Sequence, residues 1–298
     1  MELFEIEEWL DRIYSKKLYL TSDGCDLINL AQELITDERV IIREEKGITV
    51  PGINLFTVKG DTINAFSVKV ENEYYVLVNY GVIEKPKQYL SSLNFKNIYR
   101  KDEYIIKLIK YGWLFIVFHE YGHIFCGHVD AGLTDLNDKC IQECEADMFS
   151  VDYLIKFVVR ESKDASMDEL EDLYIAVYLL IENMQKDRWE NYYDDKIIQN
   201  YYDPDCIGQR DHPLSAQRMI YLFSMFNIFI FDGKMMPVLV KEKIISKLRR
   251  IKNIEENDKN KNNDNNFRIV QDSIEELQRG LQDIRKKIPR LKLSGEKE

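Results

Sequence analysis

One stretch limits the folds open to this chain more than any other: residues 113–128, WLFIVFHEYGHIFCGH. It holds three of the four histidines, and two of them, His119 and His123, frame Glu120 inside an apolar run. A helix enclosed on most sides accepts such a run, and in a helix residues four apart lie one above the other on one face. His119 and His123 can then point at one zinc ion. Glu120, about 100° further round the helix, reaches a water in the open fourth position of a catalytic zinc rather than the metal itself. A carboxylate there can take a proton from that water as general base and return it to a leaving amine. The HExxH spacing is therefore one that the chemistry requires. The plainer alternative is a buried helix with incidental histidines, which a chain with so few histidines seldom produces.

A catalytic zinc wants a third protein ligand. The pattern HExxHxxGxxH supplies it as a histidine ten positions after the first. Here His128 falls nine positions after His119, so it is expected behind the ligands or at the surface rather than on the metal. The better candidate lies in QECEADMFSVDYL, residues 142–154. Glu143 and Asp147 are four apart and share a helix face. Glu143 would complete the site, and Asp147 would accept the remaining N–H of a ligand histidine, His119 by expectation, fixing its tautomer. Glu145, about 200° from Glu143 on that helix, should face solvent or another partner. An acidic helix N-terminus without metal is the competing explanation.

Elsewhere the pattern changes along the chain. Apolar residues at three- and four-residue spacing predict helices over 3–20 and 25–37. Residues 40–83 are β-branched, aromatic and punctuated by Gly, Asn and Asp. They read as two or three short antiparallel strands, with one hairpin closing at VENEYY. Helical patterns follow at about 103–127, 138–160, 167–189, 212–230 and 238–251. Strands first and helices after give an α+β class. The stretch KNIEENDKNKNNDNN, residues 252–266, has too few apolar side chains to offset its ordering entropy and reads as a flexible linker. Beyond it, Val270, Ile274, Leu277, Leu281, Ile284, Ile288 and Leu291 step by four and three, a heptad seam weakened by Gly280 and Pro289. The expected domains are 1–251, the linker 252–266, and an amphipathic heptad helix over 267–292. Three partners suit that stripe over 267–291: the same stripe of a second chain in a homodimer, the chain's own catalytic domain, or another protein.

HExxH followed by ExxxD on the next helix resembles the gluzincin metallopeptidases, and the gap from His123 to Glu143 matches their thermolysin-type spacing. NAFS (Asn64–Ser67) followed by YYVLVNYGVI resembles the edge strand and next strand of the gluzincin sheet. DHPLSAQRM (Asp211–Met219) resembles a late His-Pro…Arg motif, and both stretches are especially similar to the family of HtpX and the CAAX prenyl endopeptidases. The resemblance covers about residues 60–225, in motif order; the family's membrane helices and any counterpart of the C-terminal heptads are missing from it. It implies a zincin-like domain: a small antiparallel sheet, then a helical bundle carrying the two motif helices, with the heptad helix appended. It further implies a zinc endopeptidase acting on a protein or peptide. Asn64 and Ala65 would hold the substrate main chain on an edge strand, and His212 would donate a hydrogen bond to the oxyanion. Pro213 would start the next helix, and Arg218 would anchor it by pairing with an acid near the site. An ordinary strand start, a capping histidine and a solvated arginine fit those positions too. Phage-exclusion and repressor-cleaving zincins share the HExxH helix, and a catalytically vestigial scaffold acting through its heptad tail is the alternative function.

Charge narrows the partners. A net charge of −11 with pI ≈ 5.1 argues against nucleic acid, which needs a basic face. The start MELFEIEEWLDRIYSKK lacks the basic and apolar regions of a secretory leader. The runs YGWLFIVF and MIYLFSMFNIFIF fall short of the ~20 residues that span a bilayer. Five cysteines without a CxxC pair suit free thiols in a reducing compartment. The expectation is a cytoplasmic protein with no integral membrane segment.

Overall fold

Three strands and a set of helices behind them make up the described fold: β1 (Ile53–Val58), β2 (Ala65–Val70) and β3 (Glu73–Asn79), then α1 (Gly81–Ser92), α2 (Lys101–Phe125), the single turn α3 (His128–Ala131), α4 (Leu136–Glu161), α5 (Met167–Tyr192) and α6 (Val238–Lys252). The computed structural model describes residues 52–58, 60–95, 98, 100–131, 136–161, 167–192 and 238–252, together with Arg218, Leu222, Phe226, Arg279, Gln282 and Asp283. The helices expected over 3–20 and 25–37, the linker beyond residue 252, His212, and every residue of the heptad seam lie outside the described residues. The α+β class holds.

The sheet has the order β1-β3-β2, with β1 parallel and β2 antiparallel to β3. This corrects the expectation of a purely antiparallel sheet. β3, EYYVLVN, is buried from Tyr74 to Val78, so it takes the central place, as a strand covered on both faces does. β2 is only partly buried along its length and takes the edge. The hairpin expected at VENEYY is present: Val70 pairs with Glu73, and Glu71 adopts φ 56. Both hairpin turns that match strand twist require positive φ at that first central position. Tyr74, Val76 and Val78 face the helical core, while Tyr75 and Leu77 join a smaller cluster with Val58 on the opposite face.

The region read as strand through residue 83 instead turns into α1 at Gly81. Gly81 and Pro86 read as breakers, yet Val82, Pro86 and Leu90 are buried at four-residue spacing on one face. Gly81 also lies against the preceding turn, where a Cβ would fall 2.5 Å from the Thr62 carbonyl oxygen. Its N–H donates to the Gly60 carbonyl at 2.7 Å.

α2 is the axis of the molecule. From Tyr111 to Gly122 every residue is buried, which is what its all-round apolar sequence demands. α4 is its main partner, and Ser150 Oγ on α4 donates to the Phe115 carbonyl on α2 at 2.6 Å. α5 crosses α2 on another side, and α6 docks on α5 through Lys243 and Lys247 to Asp168, Glu171 and Asp172. Lys252 pairs with Glu182. Arg218, Leu222 and Phe226 are helical and buried, in line with the helix expected over 212–230. No helix among the described residues is long and apolar enough to cross a membrane.

Candidate metal centre

The site is built where α2 and α4 approach most closely. A Cβ on Gly122 would lie 3.1 Å from the Ala146 Cα and 3.2 Å from the Phe149 Cβ, so two motif helices meet backbone to backbone. His119 and His123 stand one turn apart on α2, and Glu143 faces them from α4. The two Nε2 atoms are 3.1 Å apart. Glu143 Oε2 lies 3.3 Å from His119 Nε2, and Oε1 lies 3.4 Å from His123 Nε2. Ligands bound at the usual zinc distances in a tetrahedron are separated by about 3.3 Å. The three side chains thus form a group that could hold a metal ion.

Each histidine turns its other nitrogen to a buried group. His119 Nδ1 donates to Asp147 Oδ1 at 2.8 Å, as the sequence led us to expect. Arg218 binds the same carboxylate through Nε to Oδ2 at 2.7 Å and Nη2 to Oδ1 at 2.6 Å. Arg218 is thus an anchor and not a solvated arginine. His123 Nδ1 meets His128 Nδ1 at 3.0 Å, and His128 Nε2 meets Glu145 Oε2 at 3.1 Å. His128 therefore lies behind His123 and not at the surface. Glu145, expected to face solvent or another partner, is 4% exposed and pairs with His128. Sequence reasoning missed that pair. Its trace was Gly127, whose φ of 80 turns the chain after α2 and brings His128 back beside His123.

Burial penalises a charged His119 ring, but the Asp147 and Glu143 carboxylates outweigh it and raise its pKa to about 10. Burial would raise the Asp147 carboxyl; Arg218 and His119 hold it below the ordinary range. Burial pushes His128 down, against the pull of Glu145. Cys126, Cys140 and Cys144 are free thiols, and burial raises Cys144 well above the ordinary thiol value. Cys126, His128 and Glu145 also bring ligand atoms within 4.8 Å of one another.

An open cleft of ≈ 300 Å³ fronts the group. Glu120 and Glu143 line it on the metal side, and Asn64, Ala65, Phe66 and Ser67 line it on the sheet side. β2 is an edge of the described sheet and packs against α2. The Asn64 carbonyl accepts from Asn79 N–H and the Asn64 N–H donates to the Thr62 carbonyl, both at 2.9 Å. Asn64 thus spends its main chain on the turn. By the alternation of an antiparallel ladder, Ala65 and Ser67 turn their main-chain groups away from β3. Asn64, Ala65 and Ser67 all line the cleft, with the main-chain groups of Ala65 and Ser67 left off the ladder to β3. Asp187 on α5 fixes this rim by accepting from Ile63 N–H at 2.9 Å.

Comparison of the chain with protein families, with curated proteins and with solved structures found no match.

Proposed function

We propose that the chain is a zinc-dependent endopeptidase of the gluzincin kind, with His119, His123 and Glu143 as ligands and Glu120 as general base. The observation that supports this most is the triangle of two Nε2 atoms and one carboxylate, with edges of 3.1, 3.3 and 3.4 Å, beside a second carboxylate in the same cleft. The donor set of two imidazoles and one carboxylate is one that zinc takes in hydrolases. When bound, zinc would supply Lewis acidity, polarising a carbonyl and making water a competent nucleophile near neutral pH.

The chain's own residues do the rest. Glu120 takes the proton from the attacking water on a carboxylate oxygen and gives it to the leaving amine. Its place on α2, 8% exposed and lining the cleft, suits a base that must act away from bulk water. Ala65 and Ser67 on the sheet edge would receive an extended peptide as an added strand, which argues for a polypeptide substrate. His212 remains the proposed oxyanion donor on sequence grounds. A vestigial scaffold would have no use for a buried carboxylate at this position. The test is zinc content and proteome-wide cleavage by the purified chain against Glu120→Gln. About one zinc per chain in both proteins, with cleavage only in the first, is the expected result. Equal cleavage by both, or no zinc in either, overturns the reading.

A further inference from the structure

Behind His123 the contacts continue one ring further than behind His119. His119 rests directly on a carboxylate, Asp147. His123 instead rests on a second imidazole, His128, and only then is a carboxylate reached, Glu145. Both added residues are buried, at 6% and 4% exposure. We propose that His128 and Glu145 are positioning residues that fix His123 as an Nε2 donor to the metal. This rests on the reading above, in which His123 Nε2 is a ligand.

The chemistry sets the direction of the whole line. An imidazole that gives its Nε2 lone pair to a cation keeps its proton on Nδ1. That N–H points at His128 Nδ1, which must then offer a lone pair. A neutral imidazole has one lone pair and one N–H. The His128 proton therefore sits on Nε2, where Glu145 Oε2 lies ready to accept it at 3.1 Å. An ionised carboxylate only accepts, so the far end cannot reverse the line. The cation at one end and the carboxylate at the other leave one arrangement of protons.

The intervening ring also has an electrostatic use. Asp147 and Glu143 already place two carboxylates beside the ligand histidines, and Arg218 binds Asp147 at 2.6 Å. His128, with its ring centre 5.1 Å from that of His123, sets Glu145 back while passing on its orientation. Gly127 and α3 make the placement: α3 is tied to the sheet by Lys69 Nζ and Tyr74 Oη, which donate to Asp130 at 2.7 and 2.5 Å. Cys126 adds a competing use. With Glu145 and His128 it could hold a second cation. That cation would take the His128 Nε2 lone pair, move the proton to Nδ1 and face it against the N–H of His123. The two uses of His128 exclude each other.

The experiment uses the full chain. Zinc affinity is measured by competition with a chromophoric chelator, and the visible spectrum is recorded with cobalt in place of zinc. The variants are His128→Phe, Glu145→Leu and Glu145→Gln, each checked for metal-free unfolding. His128→Phe and Glu145→Leu are expected to weaken zinc about 10–100-fold, the usual effect of losing a ligand's supporting partner. They should also alter the cobalt spectrum. Glu145→Gln keeps an acceptor oxygen and should recover most of the affinity, which also decides the matter if His128→Phe does not fold. Tight zinc in the parent chain with equal affinity and spectrum in Glu145→Leu overturns the positioning role alone. A thiolate-to-cobalt band that vanishes in Cys126→Ala overturns it in favour of a second cation. No zinc in the parent chain removes the ligand reading, and the positioning role falls with it.

Discussion

Arg218 grips Asp147 with two prongs, Nε to Oδ2 at 2.7 Å and Nη2 to Oδ1 at 2.6 Å, and both side chains are buried. The pair lets a full negative charge sit directly behind His119. Breaking a buried pair from one side strands the other charge, at a cost of about 3–5 kcal/mol. Arg218→Met is therefore expected to lower the denaturant midpoint strongly. Asp147→Asn in the same background should restore part of that loss, because it removes the stranded charge. An additive double variant would show that the two residues do not act together.

Glu120→Gln should keep zinc and fold but lose about 10²–10⁴-fold in turnover, the range carried by a positioned acid–base group. The amide has the same shape and cannot take the proton. Steady-state rates with metal content measured on the same samples check it. A fall in zinc would instead make Glu120 a ligand.

The motif part of this site was legible because it is local. His119 and His123 on one helix, and Glu143 and Asp147 on another, share faces by helix period alone. The His128–Glu145 pair was not legible, because it joins the turn after α2 to a residue well inside α4. The rotation of Glu145 away from Glu143 left solvent or another partner open, and the partner is His128 of α3. The parallel pairing of β1 with β3 was hidden for the same reason: it is non-local and depends on β2 crossing to the far edge. α1 was hidden by its own Gly81 and Pro86, since propensity ranks both low and only burial at four-residue spacing reveals the helix.

The metal-free protein should be most stable near pH 6.5. His119 has a folded pKa raised from 6.5 to about 10, so its contribution is complete below 6.5 and is lost as pH rises through 10. His128 is lowered from 6.5, so it acts in the other direction and costs stability as pH falls below that value. Asp147, lowered from 3.8, adds a further loss at more acid pH. Zinc must displace the His119 proton, so its apparent affinity should rise with pH up to about 10. Thermal unfolding with and without zinc across this range checks both slopes. A metal-free protein whose stability rises steadily to pH 10 would contradict the charged His119.

The last prediction concerns how closely the two ligand helices approach. Gly122 lies between the proposed ligand His123 and the proposed base Glu120 on α2, and opposite it Ala146 lies between Glu145 and Asp147 on α4. A Cβ at Gly122 would meet the Ala146 Cα at 3.1 Å and its carbonyl oxygen at 3.2 Å. These are backbone atoms, so the added methyl can be accommodated only by shifting α4. Overpacking of this kind costs about 1–3 kcal/mol, while alanine returns about 1 kcal/mol of helix propensity. Gly122→Ala should therefore lower overall stability by at most about 2 kcal/mol. Its effect on the site should be larger, because a shift of α4 moves Glu143 out of the triangle that its oxygens make with the two Nε2 atoms at 3.3 and 3.4 Å. Gly112→Ala is the control on the same helix: its Cβ would meet Leu180 at 3.6 Å, an ordinary contact, so it should gain stability and leave zinc untouched. Zinc competition titrations and urea unfolding on both variants separate the two effects. If Gly122→Ala binds zinc as tightly as the parent chain, the helix contact does not set the ligand geometry, and Glu143 reaches the metal by its side-chain rotamer alone.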